Sequence, residues 1–295
     1  MIPSENTDPA LDTPPSSGRS LDCGGRPLDL SHPRIMGVLN VTPDSFSDGG
    51  RFFSLEVALR QAELLVAEGA DILDVGGKST RPGSKGVSSQ EEIERVIPVI
   101  QGLAARLDIP LSVDTSKPEV MREAVAAGAG FINDIYALRR PGALTAAVEL
   151  SVPVCLMHMR GTPEIMQDAP LYEDVVAEVG TFFEERIAAC AGAGLPREKI
   201  LLDPGFGFGK TLDHNLVLLA NLHHLTSLGL PLLVGLSRKS MIGVLTGRQV
   251  GDRLAGSLAA AVLAVERGAR LIRVHDVAAT RDALRVVGAL MNVPD

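Results

Sequence analysis

Eight short apolar runs recur along this chain of 295 residues, and their spacing limits the folds open to it. Runs that are apolar throughout are typical of strands buried on both faces, as in parallel sheets covered by helices, whereas half-exposed strands alternate apolar and polar residues. Each run ends in polar or charged residues. The runs are IMGVLNV, ADILDVG, PLSVDT, FINDI, VPVCLMHM, ILLDPG, PLLVGLS and RLIRVHDV.

The segments between the runs have the apolar spacing of helices. In SLEVALRQAELLVAEG, for example, Leu55, Leu59 and Val66 keep one side apolar. Strict alternation of strands and helices produces a parallel sheet with right-handed crossovers, and eight units permit closure. We therefore predict an α/β fold, a (β/α)8 TIM barrel, with a doubly wound open sheet as the alternative. The other helices are predicted near residues 88–107, 117–127, 141–150, 172–192, 213–228, 252–267 and 278–290.

The pattern predicts one domain preceded by a tail. Residues 1–19 are rich in Pro, Ser, Asp and Thr, and they carry too little apolar surface to offset the entropy lost on ordering. We expect a disordered tail there and the barrel over residues 20–295. The Gly24-Gly25 pair lies between two short extended segments just before the first strand. It predicts an N-terminal hairpin that plugs the barrel.

Composition narrows the classes of partner. The formal net charge of −8 and the pI near 5.3 argue against nucleic-acid binding, because the phosphate backbone requires a basic surface. The cysteines Cys23, Cys155 and Cys190 form no CxxC pair, which suits a reducing cytoplasm. The chain has no apolar run of 18 residues and no secretion signal at its start, so we expect a cytoplasmic protein without membrane contact.

The polar residues that end the runs are expected to meet at one rim, because the active sites of such barrels lie at the carboxyl ends of the strands. Four carboxylates would share this mouth, and such crowding is costly without cations or hydrogen-bond donors from a ligand. One of them alone could instead be a helix cap. The terminal residues are Asn40, Asp74, Asp114, Asn133, Asp134, His158, Asp203, Ser237, Lys239, Arg273 and His275.

The loops at this rim have a selective composition. NVTPDSFSDGGRFF is long enough to move as a flap, and GGKSTRPGSKG offers the guanidinium of Arg81 to a carboxylate or phosphate. Phe206 and Phe208 in a Gly-rich turn suggest a surface for a flat ring. Basic residues in GLSRKS and RVHD follow the seventh and eighth strands, where barrels often bind phosphate groups. In an acidic chain, this local basic cluster predicts an anion site.

Taken in order along the chain, the motifs resemble those of one family. GVLNVTPDSFSDGG, DVGGKSTRPG, DTSKPEV, NDI, MHM, DPGFGFGKT, GLSRKS and RVHD occur in the order found in dihydropteroate synthases, over about residues 34–277. The resemblance implies a transferase of folate biosynthesis that joins (7,8-dihydropterin-6-yl)methyl diphosphate to 4-aminobenzoate. It also implies Mg²⁺, a homodimer, and sulfonamides as competitive inhibitors.

The resemblance further implies site residues, with Asp114, Asp203 and Lys239 as the catalytic ones. The pterin would contact Asp114, Asn133, Met157, Asp203 and Lys239. The diphosphate would contact Asn40, Arg273 and His275, with Mg²⁺ held through Asn40. The 4-aminobenzoate would contact Thr80, Arg81, Pro82, Phe208, Ser237 and Lys239, under a flexible loop that carries Thr42, Asp44 and Phe46.

A dissociative mechanism fits these substrates. Diphosphate would leave first, the cation at the pterin methylene would be stabilised by Asp114, and the neutral arylamine would then attack. One position departs from the family pattern GGESTRPG, since Lys78 replaces the acidic residue. Lys78 is either a tolerated change, paired with a carboxylate such as Asp74, or a sign of altered 4-aminobenzoate affinity. A pterin-dependent methyltransferase and a non-catalytic pterin-binding paralogue are the alternatives.

Overall fold

The computed structural model describes residues 20–41, 51–78, 86–161 and 170–291. Within these ranges the chain forms ten strands and nine α-helices, and the last eight strands alternate with helices. The strands are β1 Ser20–Asp22, β2 Pro27–Asp29, β3 Arg34–Asn40, β4 Ile72–Gly76, β5 Leu111–Asp114, β6 Phe131–Asp134, β7 Val154–Met157, β8 Ile200–Asp203, β9 Leu232–Val234 and β10 Ala269–Val274. The helices are α1 Arg51–Ala67, α2 Ser89–Arg106, α3 Pro118–Ala126, α4 Ala143–Leu150, α5 Val175–Gly192, α6 Leu212–Ala220, α7 Ser240–Thr246, α8 Leu254–Glu266 and α9 Val277–Met291.

The sheet closes on itself. Strands β3 to β10 pair in parallel in sequence order, and β10 pairs with β3 as well as with β9. In the closing register Arg273 lies opposite Met36. The predicted TIM barrel is therefore confirmed, and the open-sheet alternative is wrong. Closure matters for the site because it brings the carboxyl ends of all eight strands around one mouth.

The lower half of the barrel interior is apolar. Inward-facing side chains from seven strands form a single cluster with four residues of the β1–β2 hairpin, which confirms that the hairpin packs into the amino-terminal end of the barrel. The approach is close, since a Cβ on Gly130 would run into the Cys23 carbonyl. The cluster consists of Met36, Ile72, Phe131, Cys155, Leu201, Leu233 and Leu271 with Leu21, Cys23, Leu28 and Leu30.

The outer layer begins with well-defined caps where the sequence offers them. Ser88 and Glu91 form a capping box at the start of α2: the Glu91 amide donates to Ser88 Oγ over 3.2 Å, and the Ser88 amide donates to Glu91 Oε2 over 2.9 Å. The buried side of this helix, with Val96, Ile100 and Leu103, packs into the main apolar cluster between helices and sheet.

Two helices differ from the prediction. The segment near 213–228 is α6 followed from Leu222–Leu228 by a 3₁₀ helix, in which the hydroxyls of Thr226 and Ser227 donate to the carbonyls three residues earlier. These bonds favour the tighter turn. A short additional helix, α7, follows the seventh barrel strand. In the portion of the chain described, no helix combines the length and apolarity needed to cross a membrane.

Candidate active site

A polar layer lies directly above the apolar floor of the barrel. Side chains alternate in and out along a strand, so residues two positions after a floor residue also face the interior. Asp74 follows Ile72, Asn133 follows Phe131, Asp203 follows Leu201 and Arg273 follows Leu271 in this way. The same alternation explains why these polar groups converge at the mouth.

Asp74 is the centre of this layer and is fully buried. Its Oδ1 accepts from Ser112 Oγ over 2.6 Å, and its Oδ2 accepts from Asn133 Nδ2 over 3.0 Å and from Arg273 Nε over 2.6 Å. The other side of the Arg273 guanidinium donates through Nη2 to Asp114 Oδ2 over 3.0 Å. One arginine therefore joins the carboxylates of β4 and β5 across the mouth. No substrate role was predicted for Asp74. The inward direction of Ser112 could have been read from its position two residues before Asp114 on the same strand.

Asp114 is a strongly perturbed carboxyl of the mouth. Burial raises its pKa to about 7, the Arg273 guanidinium opposes the shift, and the neighbouring carboxylates of Asp74 and Glu92 add to it. Asn133 lies beside it in register on β6. A carboxyl held this way gains from any ligand that brings hydrogen-bond donors or positive charge.

Asp203 and Lys239 form the opposite side of the pocket. Asp203 Oδ1 accepts from the Gly205 amide over 2.7 Å, and burial raises its pKa while Lys239 opposes the shift. Burial lowers the pKa of Lys239 to about 8, and Asp203 opposes that change. Lys239 Nζ donates to the Phe206 carbonyl and lies 4.8 Å from the centroid of the Phe208 ring. The predicted pterin and 4-aminobenzoate residues Asp203, Lys239 and Phe208 are thus brought together.

An apolar patch completes this wall. Ile135, Met157 and Met159 form a buried cluster, with Tyr136 and Phe208 packed against it. A flat ring in the mouth would find polar groups at its edge and thioether and aromatic surface at its face, which is the usual composition of a small-molecule site. The predicted position of Met157 in the ring pocket agrees with this arrangement.

The predicted anion corner is divided. Arg273 faces Asp74 and Asp114, whereas His275 Nδ1 lies 3.0 Å from Ser237 Oγ. Arg238, from the basic GLSRKS turn, pairs with Asp276 through Nε to Oδ2 over 3.0 Å. His275 and Ser237 therefore lie together at this corner, whereas the Arg273 guanidinium lies beside Asp74 and Asp114.

Asn40 ends β3 and is exposed at the rim. A Cβ on Gly76 would lie 3.7 Å from Asp114 Oδ2 and 3.8 Å from Asn40 Oδ1, so both oxygens flank Gly76. Among the described residues no three His, Cys, Asp or Glu side chains form a group that could hold a metal ion. The amide oxygen of Asn40 fits an ion such as Mg²⁺ that takes its remaining ligands from phosphate and water.

Asp134 does not face the mouth. Its two oxygens accept from the amides of Tyr136 and Leu138, each over 2.8 Å, and so hold the loop after β6. The expectation that four carboxylates share the mouth is therefore wrong for this residue, which holds a turn and caps no helix, since α4 begins only after Gly142. Adjacent strand residues point to opposite faces, so Asn133 and Asp134 could not both face the interior.

A buried ion pair supports the loop after β5. Glu92 of α2 accepts from Thr115 Oγ1 over 2.5 Å and from Lys117 Nζ over 2.7 Å. Lys78, the departure from the family pattern, lines a small pocket together with the carboxylates of Glu92 and Asp114 and the cations of Lys117 and Arg140. Sequence reasoning missed Glu92, because nothing in a helical segment indicates which distant loop it will contact.

Several predicted residues lie outside the described ranges. These are Thr42, Asp44 and Phe46 of the first loop and Thr80, Arg81 and Pro82 of the second. Their assignment to the flexible loop and to the 4-aminobenzoate surface stays a prediction.

Comparison with known proteins agrees with the motif pattern. A family model described as pterin binding enzyme matches residues 36–275. The dihydropteroate synthase of Escherichia coli strain K12 is 58% identical over 271 residues, which are 92% of this chain and 96% of that protein. A structure of Yersinia pestis dihydropteroate synthase in a sulfonamide drug complex has 52% identity and a TM-score of 0.87, covering 92% of this chain and 98% of the other.

Two structures of Xanthomonas albilineans dihydropteroate synthase extend the comparison. One contains 4-aminobenzoic acid and has 58% identity and a TM-score of 0.90, covering 94% of this chain and 100% of that one. The other contains 7,8-dihydropteroate and has 56% identity and a TM-score of 0.86, covering 93% and 100%. The resemblance expected from the sequence is confirmed. The chain belongs to the family of pterin-binding enzymes and, within it, to the dihydropteroate synthases.

Proposed function

We propose that this protein condenses (7,8-dihydropterin-6-yl)methyl diphosphate with 4-aminobenzoate, giving 7,8-dihydropteroate and diphosphate in folate biosynthesis. The observation that carries the proposal is the mouth of the barrel in a chain of this family, where Asp114 and Asn133 lie in register on β5 and β6 and Asp203 has Lys239 as a neighbouring charge. A transferase of this kind needs two adjoining surfaces, one for a polar bicyclic ring and one for a benzoate. The pocket and the Phe208 patch supply them.

The pterin ring supplies both hydrogen-bond donors and acceptors along its edge. Carboxylates at Asp203 and Asp114 would accept from its amino group and ring N–H, and Asn133 can serve either kind of atom. Lys239 would donate to the acceptor side of the ring. The ammonium already lies near Asp203, and with a pKa that burial lowers only to about 8 it remains mostly protonated at pH 7 and can donate.

Loss of diphosphate would leave positive charge on the pterin methylene and ring. The carboxylate of Asp114 stands in a buried site where its charge is poorly solvated, so a developing cation would be stabilised there more than in water. The arylamine of 4-aminobenzoate is neutral near pH 7 and can attack without an enzymic base. Asp114, Asp203 and Lys239 are accordingly proposed as the catalytic residues.

The 4-aminobenzoate is placed against Phe208, Ser237 and Lys239, with Thr80, Arg81 and Pro82 as the predicted remainder of its site. Phe208 offers a ring face next to the Lys239 ammonium, and Ser237 carries a hydroxyl at the same rim. A sulfonamide has the same aryl amine and a polar group in place of the carboxylate. We therefore propose that sulfonamides compete for this surface.

The diphosphate is assigned to Asn40, His275 and Arg273 at the β3 and β10 ends of the barrel. Mg²⁺ held through Asn40 would neutralise part of the phosphate charge, and the residues themselves supply the orienting contacts. Arg273 keeps two carboxylates in place in the ligand-free protein, so its contact with diphosphate would require a change of partner.

Diphosphate release measured with both substrates, with each alone and with neither tests the function. Release that requires the pterin diphosphate and 4-aminobenzoate together is the expected result. A methyltransferase would release none under any condition, and a non-catalytic paralogue would bind pterin without release. Since Lys78 is the one departure noted from the family pattern, Lys78→Glu is the matched variant, and we expect it to change the KM for 4-aminobenzoate more than kcat.

Homodimer formation is proposed through α8 and α9. A groove between these helices is lined by Val262, Ala283, Val286, Val287 and Leu290 with Glu266, and Val286 and Leu290 are 64% and 67% exposed. Sedimentation of the wild type and of Leu290→Glu checks this, with a monomeric variant expected.

We also propose a cytoplasmic location, which the three unpaired, buried cysteines support.

A further inference from the structure

Lys210 is a buried lysine that the proposed chemistry leaves without a role. It is 3% exposed, and its ammonium has three neighbours at hydrogen-bonding distance. Nζ donates to the Gly205 carbonyl over 3.0 Å and to the Phe208 carbonyl over 3.2 Å, and it lies 2.9 Å from His158 Nδ1. Three acceptors match the three hydrogens of an ammonium, so the protonated group is fully coordinated by neutral partners. Burial lowers the pKa of Lys210 to about 7 and Asp203 opposes the shift, so the group carries its charge at and below neutral pH.

The histidine is adapted to this arrangement. Burial and the Lys210 charge lower the pKa of His158 to about 2, which keeps the imidazole neutral. Its Nδ1 can then accept from the ammonium while Nε2 carries the proton. The ring also packs edge-on against Phe182, with centroids 4.9 Å apart, so its orientation is determined by the helix layer.

The loop that Lys210 binds is the one that carries the predicted 4-aminobenzoate residue. Gly205, Gly207 and Gly209 have φ angles of 67°, 79° and 63°, a conformation that glycine adopts at low cost. Alternating left-handed glycines direct successive carbonyls to different sides. Lys210 binds the carbonyls of Gly205 and Phe208, while Lys239 binds that of Phe206.

Lys210 also acts on the pterin side of the pocket through charge. Asp203, buried at the end of β8, faces Lys239, Lys210 and Arg273 and accepts from the Gly205 amide. Each of these three cations favours the ionised form of Asp203 and so offsets part of the cost of burying that charge. Removal of Lys210 would therefore raise the pKa of Asp203 further.

We propose that Lys210 is a positioning residue that, through the carbonyls of Gly205 and Phe208, holds the Phe208 ring in place for 4-aminobenzoate and supports the charge of Asp203. The inference rests on the proposed function and deepens it, since it concerns how the same site is shaped. As a positioning residue, Lys210 contacts no substrate itself. Its effect passes through the loop between β8 and α6.

The test compares Lys210→Met with a matched control, Lys199→Met. Lys199 lies just before β8, at the opposite end of that strand, and likewise donates to backbone and side-chain oxygens, those of Ser151. For Lys210→Met we expect the KM for 4-aminobenzoate to rise on the order of tenfold with kcat within about threefold. The KM for the pterin diphosphate should rise more at low pH than at high pH, because the pKa of Asp203 moves further upward. Lys199→Met should match the wild type.

Hydrogen exchange of residues 204–210 supplies a readout that needs no turnover. In the ligand-free protein, Lys210→Met should accelerate amide exchange in this segment about tenfold or more, while Lys199→Met leaves it unchanged. Should Lys210→Met fail to fold, Lys210→Gln, which is shorter and uncharged, carries the same expectations. Equal protection in wild type and variant, or a KM for 4-aminobenzoate that does not move, would overturn the inference. An inactive wild type with faster exchange in the variant would instead count against the proposed function alone.

Discussion

Replacing Asp114 by asparagine is expected to make the protein more stable and less active. In the folded protein burial raises the pKa of this carboxyl from 3.8 to about 7, with Arg273 opposing and Asp74 adding to the shift. The side chain is 12% exposed, so screening by solvent is limited. Asparagine keeps the shape and removes the charge whose burial is unfavourable.

The sign and size of the effect follow from proton linkage. Between pH 4 and 7 the native carboxyl keeps a proton that the unfolded chain has lost, so wild-type stability falls as pH rises through this window and stays reduced above it. A shift of about three units at 1.36 kcal/mol each corresponds to about 4 kcal/mol at pH 8. At pH 4.5 the same calculation leaves about 1 kcal/mol.

Urea unfolding of wild type and Asp114→Asn at pH 4.5 and pH 8 measures this difference directly. The variant should gain more at pH 8, while turnover falls on the order of 100-fold because the cation loses its carboxylate. Asp108→Asn, at a fully exposed position, is the control and should show no such pH dependence. A variant that is less stable at pH 8, or a gain that is equal at both pH values, would mean that the Arg273 pair outweighs the cost of burial. Unchanged turnover would remove Asp114 from the catalytic residues.

Four further substitutions are expected to act on stability, each read from the midpoint of urea unfolding. Asp74→Asn should cost about 3 to 5 kcal/mol, because the fully buried carboxylate accepts from Ser112, Asn133 and Arg273 and an asparagine would turn an NH2 group toward some of these donors; a loss below about 1 kcal/mol would contradict this. Gly205 and Gly247 both have a φ near 67°, but only at Gly205 would a Cβ collide with a carbonyl, that of His158. We therefore expect Gly247→Ala to lower the free energy of unfolding by about 1 kcal/mol and Gly205→Ala to lower it by at least about 2 kcal/mol more. Equal losses would show that the His158 carbonyl moves aside. Ser88→Ala should cost about 1 kcal/mol through the lost cap, with activity unchanged.

Much of the architecture was readable from local pattern. Eight apolar runs, each buried on both faces, and the helical spacing between them predicted the barrel and its rim, because a parallel strand cannot hide its faces without helices on one side and a filled interior on the other. The hairpin plug followed from a glycine pair. Ordered motifs then placed Asp114, Asn133 and Asp203 at the carboxyl ends of three strands, which are β5, β6 and β8.

Partners within the mouth were decided by the tertiary structure. Arg273 and Asp74 lie 199 positions apart in the chain, and only closure of β10 onto β3 brings them within 2.6 Å. The direction of Asp134 away from the pocket follows instead from alternation along β6 and from contacts with the next few residues, and the one distant partner of Lys210 is His158, 52 positions away. Sequence alone determined that polar groups would end the strands, because burial acts on each strand locally. Contacts between segments far apart in the chain decide which of these polar groups pair and which carboxyls have a raised pKa. The local sequence pattern carries no information on the energies of those contacts.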